Sequence, residues 1–164
     1  MEIDWEKHHY YMPLAGLCGP SVVKMVLSAT GIKKSIIEIS FFVYKFWYGS
    51  PRDLIFGYLS KFYSIVNYKN SAKISDIAFH IKHEHIVIVN WFDDLGDGDG
   101  DGHYSIVSKC EKGRITLVDP SNQRDGIWSM STKEFNKKWF DYIDLNNRTY
   151  SEGYIIWIDP KSKR

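Results

Sequence analysis

Apolar residues with helical spacing dominate the stretch that follows residue 18. Those at i, i+3, i+4 and i+7 are Val22, Met25, Val26 and Ala29. This pattern predicts an amphipathic helix that begins near Cys18. Pro20 suits the first turn, where its missing N–H leaves no hydrogen bond unmade, and Gly31 can end the helix.

Three more helices are predicted before residue 83. The first spans residues 36 to 48 and follows a capping box of Ser35 and Glu38. The second begins at Ser50, with Pro51 in its first position, and the third spans residues 75 to 82. Aromatic and aliphatic side chains leave residues 36–47 with little polar face. We interpret this segment as a buried helix, with a partner-binding or dimer face as the alternative.

Strand patterns dominate the second half of the chain. Runs of alternating or β-branched residues occur at 85–91, 103–110, 114–120, 126–130 and 154–158. A turn signal at 111–113 joins the second and third runs into a hairpin, and a capping box of Ser131 and Glu134 begins a late helix that reaches about Phe140. Helices followed by an antiparallel sheet predict an α+β fold.

Composition and charge narrow the class of protein. A chain of 164 residues with 44% hydrophobic and 16% aromatic content can fill one core, so we expect a single domain over residues 1–164. The net charge is +1 and no Lys/Arg block occurs outside residues 161–164, which argues against nucleic acid as a partner. The oligomeric state stays open.

The location of the protein is predicted from what the chain lacks. The acidic first six residues contain no apolar stretch of about 7–15 residues, which argues against a secretory signal. No apolar run approaches the roughly 20 residues that span a bilayer. Two cysteines without a Cys-x-x-Cys motif form neither a disulfide framework nor a structural zinc site, and we expect a cytoplasmic protein.

Cys18 is the first candidate for chemistry. At a helix N-terminus, unpaired N–H groups and the positive end of the helix dipole favour a thiolate over a thiol, and the thiolate is the nucleophile. A buried structural cysteine is the alternative, since free cysteines pack as small hydrophobic residues. The residue alone leaves both interpretations open.

His103 is the candidate base, because it begins the first strand of the predicted hairpin. Folding about residues 111–113 places His103 across from about residues 119 to 121, with Asp119 beside it. A carboxylate there can accept the proton of one imidazole nitrogen and orient the other nitrogen toward Cys18. A one-residue slip in register moves Asp119 to the opposite face, and a turn-forming Asp before Pro120 is its alternative role.

The candidate residues occur in motifs that are similar to those of a known family. The matching residues are Cys18-Gly19-Pro20-Ser21 with Met25 and Leu27, Gly102-His103-Tyr104, Val118-Asp119-Pro120, and the later Gly126, Ser129, Glu134, Phe135 and Trp139. Over nearly its whole length the chain resembles the papain-like cysteine peptidases. More narrowly, it resembles the bacteriocin-processing (double-glycine leader) peptidases and their stand-alone relatives.

This resemblance implies a papain-like fold, in which an N-terminal helical lobe carrying the Cys18 helix packs on a C-terminal antiparallel β-sheet lobe. It implies Cys18 as nucleophile, His103 as general base and acid, and Asp119 as the carboxylate that orients the histidine. The implied activity is cleavage of a peptide or protein substrate without a cofactor. The resemblance also suggests small residues such as Gly-Gly before the cleaved bond.

One residue of the family pattern is absent. Relatives carry a glutamine about six residues before the cysteine, and its amide helps to bind the oxyanion of the tetrahedral intermediate. Residues 10–17 contain no amide side chain, and losing one such donor slows a known hydrolase by about 100- to 1000-fold. The Cys18 N–H remains as a donor. The candidates for a second donor are His8, His9, Tyr10 and Tyr11.

Three functions therefore stay open. The first is a cysteine peptidase-like thiol hydrolase, and the second is a catalytically weak or inactive peptide-binding module on the same fold. The third is acyl transfer, as in transglutaminase-like proteins, which also place a cysteine on a helix before a histidine and an aspartate on strands. An added amine acceptor distinguishes hydrolysis from transfer, since it yields a conjugate only in the latter case.

An acidic run lies just before the candidate base. Asp97, Asp99, Asp101 and Gly102 match the opening of a calcium loop, Asp-x-Asp-x-Asp-Gly, whose alternate carboxylates converge on a hard cation. The twelfth position, which should be Glu, is Ser108, and a strand pattern follows in place of a helix. We favour an acidic loop between two strands, with a Ca²⁺ site as the alternative. In either case nearby carboxylates favour the imidazolium form of the histidine.

Overall fold

An antiparallel sheet with helices on both faces organises the chain. The computed structural model describes residues 3–46, 48–93, 101–144 and 149–164. Its helices are α1 (Trp5–His8), α2 (Cys18–Ala29), α3 (Ile36–Val43), α4 (Arg52–Leu59), α5 (Ile74–Lys82) and α6 (Thr132–Lys138), followed by a 3-10 turn at Pro160–Ser162. Its strands are β1 (Val66–Lys69), β2 (Ile86–Asp93), β3 (Asp101–Glu111), β4 (Arg114–Val118), β5 (Ile127–Ser131), β6 (Phe140–Asp144), β7 (Thr149–Glu152) and β8 (Tyr154–Ile158).

Six strands form one sheet in the order β1-β8-β2-β3-β4-β5, and β6 and β7 form a separate hairpin. Neighbouring strands run antiparallel throughout both sheets. The prediction of an α+β fold with helices packed on an antiparallel sheet is confirmed. Within the described part of the chain, no helix has the length and apolarity needed to cross a membrane.

Two apolar cores lie on opposite faces of the sheet. One core, between the sheet and α2 to α4, contains Ile55 and Ile106. The other contains Ile77 of α5, Phe135 of α6 and Val107. Side chains alternate along a strand, so the consecutive residues Ile106 and Val107 of β3 enter different cores. Helix α5, which the sequence pattern groups with the N-terminal helices, therefore packs on the other face of the sheet.

Local signals locate most element ends. Ser35 caps α3 and Ser131 forms a capping box at the start of α6, as predicted. Gly31, just beyond α2, has a φ of +81°, which suits a glycine stop. Helix α6 ends at Lys138 and Phe140 begins β6, so the predicted end of this helix is too late. Strand β1 and the β6–β7 hairpin have no counterpart in the prediction.

Helix α3 differs most from its prediction. It ends at Val43, which is buried, whereas the pattern predicted a buried helix that reaches residue 48. Ile37 and Phe41 on the outer face of α3 are 80% and 83% exposed, and Phe46 in the following turn is 74% exposed. The interpretation of this segment as buried is therefore wrong for its outer face. Trp47 lies outside the described residues.

Candidate active site

Cys18 is the first residue of α2. Leu17 holds the N-cap position without a side-chain hydrogen bond, so no side chain caps the first N–H groups of this helix. The cysteine itself is 8% exposed. A Cβ on Gly19 would collide with Ser50, which lies in the segment just before α4. Glycine at position 19 therefore lets that segment close against the start of α2.

His103 on β3 reaches Cys18 from the sheet. Its Nε2 lies 2.7 Å from Asp119 Oδ1, and the ring also interacts with Cys18, which raises the pKa of His103. The Asn90 amide on β2 donates to the His103 backbone carbonyl at 3.3 Å. Trp91 packs edge-to-face on the imidazole, with ring centroids 5.6 Å apart. The three residues predicted from the sequence thus lie together, with His103 bonded to Asp119 and interacting with Cys18.

Asp119 is completely buried and uses both carboxylate oxygens. Oδ1 accepts hydrogen bonds from His103 and, at 2.9 Å, from the backbone N–H of Ser121. Oδ2 accepts a hydrogen bond from Trp128 Nε1 at 3.1 Å. Burial by itself would raise the pKa of Asp119, but the hydrogen bond and charge of His103, with the Ser121 N–H and the Arg124 charge, hold it below its usual value. The carboxylate is therefore ionised at neutral pH.

The pKa of His103 also follows from its surroundings. Burial by itself would lower it, but the hydrogen bonds to Asp119 and Cys18, together with the charges of both partners, raise the pKa to about 10. The imidazole is therefore protonated at neutral pH. A cationic histidine between a carboxylate and a thiol is an arrangement that activates a cysteine nucleophile.

Arg124 supports the carboxylate, and sequence reasoning missed it. Its Nη2 donates to Asp93 Oδ2 at 2.6 Å, and its Nη1 lies 3.7 Å from Asp119 Oδ2. The guanidinium also lies over the Trp128 ring, 4.8 Å from the ring centroid. Arg124 thus neutralises buried negative charge and packs on the indole that donates to Asp119. No spacing signal links these residues, since only the folded loop after β4 brings them together.

A β-bulge sets the face on which Asp119 lies. Near the turn, Lys109 of β3 pairs with Thr116 of β4. The next residue of β4, Leu117, pairs with Val107, so Ser108 is an extra residue in β3. Ile106 then pairs with Val118, and the next residue, Asp119, falls on the same side of the sheet as His103. A regular hairpin would place Asp119 opposite Ile106, on the other face.

The position six residues before Cys18 is held by Met12. Its side chain is partly buried against the apolar core, and its N–H donates to the Pro120 carbonyl at 2.8 Å. An apolar thioether therefore stands where relatives carry an amide. Among the described residues, the buried Ser50 hydroxyl has no hydrogen-bond partner, and it lies beside Gly19 at the helix start.

The four alternative oxyanion donors named from the sequence lie in different places. His8 Nδ1 pairs with Ser28 Oγ at 2.9 Å, about 15 Å along α2 from Cys18. His9 Nε2 lies 2.7 Å from the Asp119 carbonyl oxygen, and Tyr11 packs edge-on to the His9 ring. Tyr10 lies beneath the Lys24 ammonium, 4.9 Å from its ring centroid. His8 is thus too distant to serve, and His9 lies beside the backbone of Asp119.

The calcium prediction falls mostly on residues that the structure does not cover. Asp97 and Asp99 lie outside the described residues, and Asp101 begins β3. Across residues 3–46, 48–93, 101–144 and 149–164, no group of three or more His, Cys, Asp or Glu side chains is placed to hold a metal ion. The calcium site stays a prediction.

Two surface cavities lie away from the candidate site. One, of about 350 Å³, is lined by Lys24, Ser28, Ile32, Lys33, Lys34 and Ser35. The other, of about 410 Å³, is lined by Ala72, Lys73, Ile74, Thr132, Lys133 and Asn136. Neither is lined by Cys18, His103 or Asp119, so hydrogen bonding and burial, not cavity size, distinguish the candidate site.

The chain has the α+β fold of papain-like C39 peptidase domains. Three solved structures share this fold. The peptidase domain of Streptococcus ComA, described as a bi-functional ABC transporter of a quorum-sensing pathway, matches with a TM-score of 0.67 and 15% identity, over 91% of this chain and 96% of that one. A C39-like peptidase from Bacillus anthracis matches with a TM-score of 0.69 and 12% identity, over 96% of both chains.

The third structure is a double glycine motif protease from an AMS/PCAT transporter in complex with the leader peptide. It matches with a TM-score of 0.61 and 14% identity, over 92% of this chain and 88% of that one. Comparison of the sequence with protein-family models and with curated proteins finds no match. At these identities the three structures establish the fold of the chain and leave its activity to be tested.

Proposed function

We propose that this chain is a cysteine peptidase-like thiol hydrolase that cleaves a peptide bond through Cys18, His103 and Asp119. The observation that carries the proposal is the buried pair of His103 and Asp119, with 2.7 Å between His103 Nε2 and Asp119 Oδ1, together with the interaction of the same imidazole with Cys18. A carboxylate, an imidazole and a thiol in this order generate a nucleophile and hold the proton that the leaving group needs.

The reaction proceeds in two stages. Cys18 Sγ attacks the carbonyl carbon to give a tetrahedral oxyanion, and the C–N bond breaks as His103 transfers its proton to the leaving amine. A water molecule then attacks the thioester while His103 accepts one of its protons. The C–S bond breaks, the carboxylic acid product leaves, and Cys18 is regenerated. Asp119 keeps His103 oriented throughout and stabilises its cationic form.

We propose a peptide or protein as the substrate. One neighbour in fold is a double glycine motif protease that was solved with its leader peptide, which supports this class of substrate. We also propose that residues 1–164 act as one domain in the cytoplasm. Two free cysteines, Cys18 and Cys110, are compatible with a reducing compartment.

Met12 supports a second candidate function. Because an apolar side chain stands where relatives carry the oxyanion-binding amide, the same cleft could hold a peptide without efficient turnover. In that case the fold serves as a catalytically weak or inactive peptide-binding module. The two candidates differ in what they require of Cys18, since only hydrolysis needs a reactive thiolate.

The proposal is tested by the rate of iodoacetamide alkylation between about pH 5 and 9, read for each cysteine by peptide mass spectrometry. Cys110 is the internal control, because burial raises its pKa. We expect Cys18 to react at a much lower pH than Cys110, and His103→Ala to abolish this difference. An accessible Cys18 that follows the pH profile of an ordinary thiol would refute the hydrolase and favour the binding module.

A second assay identifies the reaction. Peptides with Gly-Gly before the scissile bond are incubated with the protein in the presence and absence of an added amine. Hydrolysis gives a free acid, whereas acyl transfer gives an amine conjugate, and Cys18→Ala gives neither product. A conjugate as the main product would overturn hydrolysis in favour of transfer.

A further inference from the structure

The outer face of α3 and the turn after it form an unusual surface, which we call the α3 apolar face. It consists of Ile37, Phe41, Phe42, Phe46 and Tyr48, which are between 42% and 83% exposed. Isolated apolar residues are common on protein surfaces, but a contiguous group of large ones marks an interaction site. Five large, exposed apolar side chains within twelve residues of sequence therefore make this face a candidate for such a site.

The charge around this face is strongly biased. Residues 24–61 contain six basic residues, Lys24, Lys33, Lys34, Lys45, Arg52 and Lys61, against two acidic residues, Glu38 and Asp53. This segment thus carries a net charge of +4, while the whole chain carries +1, so the rest of the chain carries −3. The segment that includes the α3 apolar face is therefore more basic than the rest of the chain, although the Arg52 guanidinium binds Asn90 and the Lys24 ammonium binds the Lys34 carbonyl.

One lysine contacts the α3 apolar face directly, and two more lie near it in the sequence. The Lys61 ammonium is 4.2 Å from the centroid of the Phe42 ring, and Lys45 is an exposed residue one position before Phe46. Lys33, also exposed, lies three residues before the start of α3. Glu38 is already paired with Lys34 at 2.7 Å, so it does not offset the charges of the other lysines.

We propose that the α3 apolar face binds the surface of an anionic lipid bilayer. Aromatic and aliphatic side chains on a short helix and its turn can enter the boundary between head groups and acyl chains, while the lysines beside them contact anionic head groups. This binding needs no spanning helix. It places the protein on a membrane surface and is independent of the hydrolase chemistry of Cys18.

The charge pattern favours lipid over a second copy of the chain. A symmetric dimer through this face would bring two segments of +4 charge together, and like charges facing each other oppose association. An anionic head-group layer instead attracts every lysine at the same time. Each lysine close to such a surface contributes about fivefold in affinity, so three of them contribute about 100-fold.

The test is flotation of the full chain with vesicles of phosphatidylcholine, with and without phosphatidylserine. We expect binding to the phosphatidylserine vesicles that weakens between about 0.1 M and about 1 M salt. Ile37→Ser combined with Phe41→Ser should reduce binding more than tenfold without changing the charge. Lys33→Gln combined with Lys45→Gln and Lys61→Gln should reduce binding by about 100-fold while keeping the apolar side chains.

Phe79→Ser is the matched control, because Phe79 is 55% exposed on α5, outside this face, and its loss should leave binding unchanged. Circular dichroism establishes that each variant is folded. Absence of binding to phosphatidylserine vesicles overturns the proposal, as does equal binding to both kinds of vesicle. A dimer in sedimentation velocity that Ile37→Ser with Phe41→Ser dissolves would assign the face to a second copy instead. None of these outcomes depends on peptidase activity.

Discussion

Met12 is the single residue that most limits the proposed chemistry. His103 is hydrogen-bonded to Asp119 and interacts with Cys18, so the proposed activation of the thiol does not depend on position 12. The family pattern that the sequence resembles implies an oxyanion-binding amide at position 12, and Met12 does not supply it. The backbone of Met12 is fixed by its hydrogen bond to the Pro120 carbonyl, so a new side chain there starts from a defined position.

We expect Met12→Gln to increase kcat for a cleaved peptide, by up to about 100- to 1000-fold if the amide reaches the oxyanion. The measurement is single-turnover cleavage of a Gly-Gly peptide, followed by mass spectrometry. Met12→Leu is the control for volume and should not change the rate. An unchanged rate in Met12→Gln would show that other groups, such as the Ser50 hydroxyl or the Cys18 N–H, already bind the oxyanion.

The pair of His103 and Asp119 predicts how stability depends on pH. The pKa of His103 is raised to about 10, so its contribution to the free energy of unfolding is full below about pH 6.5 and is lost as the pH rises toward 10. The pKa of Asp119 is lowered, so its contribution is full above about pH 4 and is lost as the pH falls below that value. Both contributions are complete only between about pH 4 and 6.5.

Asp119→Asn should lower the pKa of His103 and flatten the alkaline side of this profile. We expect wild type to lose stability between about pH 6.5 and 10, and the variant to lose less. Urea unfolding at a series of pH values measures the difference. His103→Gln, which cannot titrate, should share the flatter profile. Equal slopes in all three proteins would contradict the assignment of this pH dependence to the pair.

At the scale of elements, the β-bulge in β3 decides whether the candidate site forms. The hairpin, its turn and the residues Cys18, His103 and Asp119 could be predicted from local patterns. The face on which Asp119 lies could not, because the extra residue Ser108 carries no bulge signature, and one step of register reverses the face. The Arg124 contacts could not be predicted either, because they depend on the tertiary path of the loop after β4.

Exposure was the other feature that local patterns could not provide. The apolar content of residues 36–47 is compatible with burial or with an exposed face, and only tertiary packing decides between them. The structure buries Val43 but exposes Ile37 and Phe41. Strand β1 and the β6–β7 hairpin were missed because short strands with few β-branched residues resemble loops.

A pair of one-residue deletions tests the bulge. Deleting Ser108 removes the extra residue and leaves the pairs Val107 with Leu117 and Ile106 with Val118 in place, so Asp119 should keep its contact with His103. Deleting Thr116 from β4 increases the difference in length between the two paired strands and should separate Asp119 from His103. We expect Cys18 to keep its low-pH alkylation in the first variant and to lose it in the second.

The Ser108 deletion is the more informative of the two. Thr116 also pairs with Ser129 on β5, so its deletion disturbs a second strand pair. Ser108 lies beyond the residues of β3 that pair with β2, so its deletion leaves that strand pair intact and removes, besides the bulge, the hydrogen bond from Ser108 Oγ to the Thr116 carbonyl. Loss of low-pH alkylation in a folded Ser108 deletion variant would mean that the bulge does more than absorb an extra residue.

For the whole molecule, the candidate site depends on how the α2–α4 helices are held against the sheet. Cys18 belongs to the helical side and His103 to the sheet, so relative movement of the two would separate them. Tyr104, buried between them, donates a hydrogen bond from its hydroxyl to the Ser50 carbonyl at 2.9 Å. Its backbone neighbour is His103, so this bond ties the strand of the base to the segment that closes over the nucleophile helix.

Tyr104→Phe removes this hydroxyl and keeps the ring. A typical buried hydrogen bond contributes about 0.5–1.5 kcal/mol net, and the orphaned Ser50 carbonyl adds to the loss. We therefore expect Tm to fall by roughly 2–6 °C, since 1 kcal/mol corresponds to about 2–4 °C in a chain of this size. Tyr68→Phe is the control, because Tyr68 lies on β1 and is 53% exposed. An equal Tm for Tyr104→Phe and wild type would show that apolar packing alone holds the helices on the sheet, and that the Tyr104 hydroxyl takes no part in aligning Cys18 with His103.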